Sequence, residues 1–157
     1  MRLTDLLTPD RVAVSPKDDA HPFDKLGAIR ALAEMLSRGT MVDAVQVERV
    51  LLEREQLQST GIGEGVAIPH GALPQLEMQH ATLLIVPQGV EFAAIDGVPV
   101  NILFAVLGPK RATGEHLKTL ARVSRLLRNK AFREQLIHAP SAQAAYDLIA
   151  TEEGDRP

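Results

Sequence analysis

Ser59-Thr60-Gly61-Ile62-Gly63-Glu64-Gly65-Val66-Ala67-Ile68-Pro69-His70-Gly71 is the stretch on which the reading of this chain turns. Three alternating glycines, able to turn tightly or take positive φ, run into a short apolar segment, Val66 to Ile68, that reads as a buried strand. The strand ends at Pro69-His70-Gly71, where proline removes a donor and fixes its φ and glycine lets the chain turn sharply away. An imidazole is thereby expected at a strand mouth between two stiff pieces of backbone, well placed to present one nitrogen to a reactant.

Outward from this stretch, two further apolar runs read as central strands: Ala81 to Val86, broken by Pro87-Gln88-Gly89, and Val100 to Leu107, ended by Gly108-Pro109-Lys110. Phe92 to Gly97 reads as a connection or short strand, with Asp96-Gly97 as a turn. Upstream, Asp24 caps a helix bearing Leu26, Ile29, Leu32, Ala33 and Leu36, stopped by Gly39; a second helix begins near Asp43 and carries Val47, Val50, Leu51 and Arg54. Residues 4–8 suggest one helical turn capped by Thr4, Val12-Ala13-Val14 an edge strand, and Ser15 to Pro22 a polar loop. Downstream, Thr113 is expected to cap a helix with Leu117, Leu120, Ala121, Leu126 and Leu127; helices from about Asn129 to His138 and Ser141 to Ala150 close the chain. The charged segment 151–157 reads as a frayed tail. Helices at both ends with strands between them argue for an α/β single domain over 1–157, core about 10–150, with a small mixed sheet flanked by helices on both faces.

The composition is that of a water-soluble globular domain: 157 residues, 45% hydrophobic, 24% charged. Four Phe, one Tyr and no Trp leave a core of Leu, Val, Ile and Ala. Without cysteine there is no disulfide, thiolate metal site or Cys nucleophile, which suits a cytoplasmic protein. A net charge of −3 with no basic run argues against nucleic-acid binding. Apolar runs such as Leu83 to Pro87 are far too short to enter a bilayer as a span, and no apolar leader opens the chain.

The glycines at 61, 63 and 65 precede a strand, whereas a dinucleotide fingerprint follows one; no Gly-Lys-Ser/Thr and no Gly-x-Ser-x-Gly elbow occurs either. Of five histidines, His21, His80 and His138 sit in unpatterned, polar settings and read as surface residues. His116 falls in the first turn of the Thr113 helix, where the dipole favours an anion and lowers an imidazole's pKa. Taken together, His70, His116, Arg54 and Glu64 form one constellation. A neutral imidazole can attack phosphorus, Arg54 offers a planar fork to phosphoryl oxygens, and His116 another donor. Glu64 would either hold the nucleophile's tautomer or discourage a dianion from staying. A metal-dependent hydrolase ligated by His70, His116 and Glu64 is the enzyme alternative, weakened by the lack of a short-spaced ligand pair. A signalling module whose histidine no longer turns over is the binding alternative.

Arg54-Glu55, Ser59-Thr60-Gly61-Ile62-Gly63, Ala67-Ile68-Pro69-His70-Gly71, Ala94-Ile95-Asp96-Gly97-x-Pro99-Val100 and Glu115-His116-Leu117 resemble the IIA domain of the bacterial sugar phosphotransferase system. The resemblance is to the fructose/mannitol class (type 2) and, within it, to the nitrogen-regulatory branch, and it covers about residues 24 to 150. It implies a phosphotransferase component with the type-2 IIA fold, phosphorylated on His70 by a histidine phosphocarrier protein that enzyme I has charged. His116 would be the second active-site histidine, with Arg54 and Glu64 as pocket neighbours. No cofactor and no metal are implied. The expected partners are that carrier and regulatory targets that sense phosphorylation, for a monomer or weak dimer; a standalone IIA feeding a fructose- or mannitol-type permease is the alternative. Ala93 departs from the Asp common there in the family.

Overall fold

The computed structural model describes residues 2–16 and 23–154. The two longest strands, His80–Val90 (β5) and Val100–Pro109 (β6), lie side by side and antiparallel at the centre of a six-stranded mixed sheet. Their side chains alternate between two apolar layers, so neither face can be left to water. Leu84, Val86, Leu103, Ala105 and Leu107 pack under Lys25–Ser37 (α2) and Ala44–Leu57 (α3) through Ile29, Leu32, Leu36, Val47 and Leu51. Leu83, Ile85, Ile102, Phe104 and Val106 face the opposite layer. That layer is built on Thr113–Leu126 (α4), Lys130–Ile137 (α5) and Ala142–Gly154 (α6), which supply Val123, Phe132, Leu136, Ala145 and Ile149, and on the short helix Leu3–Leu6 (α1). Each fully buried Leu, Ile or Phe contributes about 1.5–3 kcal/mol, which makes this two-sided burial the main source of stability. The expected mixed sheet with helices on both faces is what the chain forms.

Around this centre the remaining strands depart from expectation in instructive ways. Leu7–Val14 (β1) runs parallel to β5 at the sheet edge and is longer than its apolar end suggests. On the other side of β6, Gly61–Gly63 (β2) and Val66–Ala67 (β3) form a hairpin closed by Glu64-Gly65. Both loop residues have positive φ (58° and 82°), as a type I′ turn requires; the glycines are hairpin chemistry rather than a preface to one strand. Residue 70 does not end that strand either: His70–Leu73 (β4) is a separate strand, parallel to β6 beyond β3. Pairing with β4 carries β6 past Gly108 to Pro109. β5 likewise survives Pro87-Gln88-Gly89 through a register shift, where the Asn101 amide donates to the Val86 and Pro87 carbonyls.

The helix ends correct three expectations. Arg2, not Thr4, is the N-cap of α1, and the carboxylate of Glu153 accepts from the Leu3 and Thr4 N–H groups at 2.6 and 3.1 Å. That long-range cap holds the last turns of α6 in place through Gly154, where fraying was expected from residue 151. Ala112 is the N-cap of α4, and Thr113 is its first residue, its hydroxyl donating to Lys110 O. Asp24 caps α2 as read, and Asp43 and Asn129, read only as approximate helix starts, cap α3 and α5, each side chain accepting a first-turn N–H. Most of the loop expected over Ser15 to Pro22 lies outside the described residues, as do residues 155–157.

The connection 91–99 forms no strand and carries Ala93 at φ 55°. A left-handed alanine costs about 1–2 kcal/mol, more than the entropy that glycine adds to the unfolded chain. Ala93→Gly is therefore expected to raise stability by up to about 1 kcal/mol, a shift of roughly 2–4 °C in Tm read by calorimetry. An unchanged or lower Tm would count against strain at this residue.

Candidate functional site

The site is assembled where the end of α3, the hairpin and the start of β4 meet. Arg54 and Glu55 occupy the last turn of α3 and point to different destinations. Glu55 turns inward, where its carboxylate accepts from Thr60 N–H and Oγ1 and pairs with Lys25 Nζ at 2.9 Å. Burial pushes its pKa up, but the hydrogen bonds from Thr60, Lys25 and Ser59 outweigh that and hold it below the usual carboxylate value. Thr60 is thus pinned, and its own carbonyl accepts from Ile68 N–H at 3.0 Å. Pro69 O accepts from Val106 N–H at 3.0 Å, so the residues on both sides of the approach to His70 are tied to fixed structure.

Gly71 serves this geometry through packing and not through a turn. It continues β4, and a Cβ there would meet Val50 Cγ1 at 2.2 Å. Only a bare Cα lets α3, which carries Arg54, lie so close to His70.

The protonation state of His70 follows from its two partners. Ile68 O, which can only accept, lies 2.7 Å from Nδ1, so Nδ1 carries the proton. Arg54 Nε–H, which can only donate, points at Nε2 from 3.2 Å, so Nε2 carries the lone pair. Burial lowers the pKa of His70; the Ile68 carbonyl opposes this, Arg54 adds to it and Glu55 opposes, with a net shift below 6.5. Arg54 is steadied by a second bond, from its NH1 to Gln58 O at 2.8 Å.

His116 stands beside His70, its ring centroid 5.7 Å from that of His70 and tilted by 55°, without lining the cavity in front of His70. Its side chain is buried, and burial first and His70 second lower its pKa. It is the fourth residue of α4, and its N–H is already bonded to Ala112 O at 3.1 Å, so only its ring can donate to a ligand. The cavity in front of His70, about 380 Å³, is lined by Arg54, Ser59, Ile62, Ile95, Leu120 and Ser124 among others. Ile62, Ile95 and nearby Leu117 are exposed, giving the charged centre an apolar rim.

Arg54, His70 and His116 are brought together as the sequence suggested; Glu64 is not. It sits in the β2–β3 turn, does not line the cavity, and pairs with Arg133 NH1 at 3.2 Å. The buried carboxylate behind the site is Glu55, committed to Thr60 and Lys25, and its charge reaches His70 only as the weakest of the influences on that ring. The ligand set His70, His116 and Glu64 is accordingly not assembled, and no group of three His, Asp or Glu side chains suited to a metal occurs among the described residues. Of the other histidines, His138 is exposed as expected and His21 lies outside the described residues. His80 is half-buried, with Arg11 NH1 3.2 Å from its Nδ1.

Residues 14–152 match the family described as phosphoenolpyruvate-dependent sugar phosphotransferase system, EIIA 2. A nitrogen regulatory protein of Bradyrhizobium diazoefficiens is 37% identical over 150 residues, covering 96% of this chain and 95% of its own length. One from Pseudomonas aeruginosa is 35% identical, covering 95% of each. The crystal structure of the nitrogen regulatory protein IIA-Ntr from Neisseria meningitidis matches with a TM-score of 0.85 at 31% identity, over 94% of this chain and 98% of that one. The chain belongs to the EIIA 2 family of the phosphotransferase system. No helix among its described residues is long and apolar enough to cross a membrane.

Proposed function

We propose that the protein is a phosphohistidine carrier of the phosphoenolpyruvate-dependent phosphotransferase system, acting as a nitrogen-regulatory IIA. The observation that carries this reading is the neutral His70 imidazole with Nδ1–H anchored on Ile68 O and a lone pair at Nε2 facing a cavity. That lone pair attacks the phosphorus of a phosphohistidine on the carrier protein. The Nε2–P bond forms as the carrier's N–P bond breaks, and the electrons of that bond return to the carrier's ring. Nδ1–H keeps its bond to Ile68 O throughout, easing the positive charge that the ring gains. Arg54 leaves Nε2 and turns its fork to the phosphoryl oxygens, with His116, next to the His70 ring, as a further donor once it has taken up a proton. Ile62, Ile95 and Leu117 give the incoming carrier an apolar surface around the reacting atoms.

The regulatory role is supported by the names of the most similar relatives and by electrostatics. A phosphoryl group adds about −1.5 to −2 charges inside the apolar rim, enough to make or break docking of a target. The family's sugar description keeps the permease-feeding role as the second reading. A deletion strain is expected to grow normally on fructose and mannitol while its nitrogen or potassium responses change. Loss of growth on one such sugar, restored by the wild-type gene and not by H70A, would establish the transport reading instead.

A further inference from the structure

The proposed role of His116 as a donor leaves open which of its ring nitrogens holds the proton, and two orphaned atoms bear on this. His116 Nδ1 and Gln79 Oε1 are both buried out of reach of water and both lack a hydrogen-bond partner. An unpaired buried polar atom costs about 1–3 kcal/mol, so two in one place are a strong indication that they serve each other. Their side chains border the same space: a Cβ built on Gly108 would lie 3.0 Å from His116 Nδ1 and 3.3 Å from Gln79 Cγ, one amide turn away from the oxygen. Glycine at 108 is what keeps the space between ring and amide open. Gln79 is only 6% exposed and His116 9%. The other side of Gln79 borders a separate cavity of about 210 Å³ beside Glu115, Lys118 and Arg122, where its amide NH2 can meet water while the oxygen stays inside.

We infer that Gln79 is the positioning residue of His116: with its amide turned from the orientation in this structure, which leaves both atoms unpaired, its side-chain carbonyl accepts a hydrogen bond from Nδ1–H across Gly108 and so fixes the tautomer. Nε2 of His116 then carries the lone pair in the unphosphorylated protein. It becomes a donor by taking up a proton from hydronium or a buffer acid, whose conjugate base stays in solution, when a phosphoryl group settles on His70, and the Gln79 carbonyl, still holding Nδ1–H, eases the charge of the imidazolium. Gln79 thus acts through His116 and touches no reacting atom. This part rests on the phosphocarrier reading; the tautomer in the free protein does not.

The test is ¹⁵N NMR of the ring nitrogens in unphosphorylated protein at a pH above the ordinary histidine range, with His116 assigned by its absence in H116A. Wild type is expected to show the Nδ1–H form at His116, Gln79→Leu to lose it in favour of Nε2–H, and Gln79→Glu, which keeps an acceptor, to retain it. Gln79→Met serves in place of the leucine variant should the latter fold poorly. Phosphoryl uptake by Gln79→Leu is expected to slow by roughly 10- to 100-fold with the label still on His70, the range seen when a partner that orients an active-site imidazole is removed. An Nε2–H form in wild type, or the same tautomer in wild type and the apolar variant, overturns the assignment. A correct tautomer in a protein that takes up no phosphoryl group would instead refute the phosphocarrier reading and leave the Gln79 bond standing.

Discussion

Alanine in place of His70 is expected to abolish phosphoryl uptake outright. Incubated with enzyme I, the histidine phosphocarrier and phosphoenolpyruvate, the wild type should gain one acid-labile, base-stable phosphate, bonded to Nε2 because Nδ1 is committed to Ile68 O. The variant should gain none, since His116 does not line the cavity through which a carrier would reach a nucleophile. The pH dependence carries the sign of the shift. Only the neutral ring attacks, and burial sets the pKa of His70 below 6.5. Uptake should therefore hold level as pH falls from 8 to the ordinary histidine value and decline only below it. Label retained by H70A would exclude His70 as the nucleophile, and a rate already halved at pH 6.5 would contradict the neutral, desolvated ring.

Arg54→Lys is expected to lower the transfer rate by about 10², although net charge is preserved. Removing one preorganised donor from a charge-developing centre costs on the order of 10²–10³ in rate, and lysine returns part of this as a point charge. What it cannot return is geometry. Arg54 reaches His70 Nε2 through Nε while NH1 is held on Gln58 O, so one planar group touches both the nucleophile and the loop beside it. A lysine ammonium has no rigid second arm with which to hold that orientation. Rapid-quench measurement with phosphorylated carrier in excess isolates the transfer step, and equal rates for the two proteins would reduce Arg54 to a helix-surface cation.

The parts of this molecule set by local chemistry were legible in one dimension. Ala81 to Val86 and Val100 to Leu107 are apolar on both faces, which commits them to the middle of a sheet covered on both sides. Asp24, Asp43 and Asn129 announce helix starts because a cap acts on N–H groups two or three residues away. The Pro69-His70-Gly71 frame and Arg54 pointed to the phosphoryl site for the same reason, since each residue's chemistry shows in its type and its neighbours. Contacts that join distant segments were not legible. That Glu64 turns away from His70 depends on where the β2–β3 turn lies against α5, and the answer is read only from Arg133. Gly71 looked like a turn residue until α3 was seen lying 2.2 Å from the Cβ it lacks. Glu153, 149 or more residues away, caps α1; Gln79 and His116 come to border one space only over Gly108. Sequence thus determined the central strands, most of the helices and the family, because propensity, capping and burial act over a few residues. Tertiary structure alone decided that Glu64 stands apart from His70, which tautomer His70 holds and which glycines matter, because those follow from distances between chain segments that no local pattern encodes.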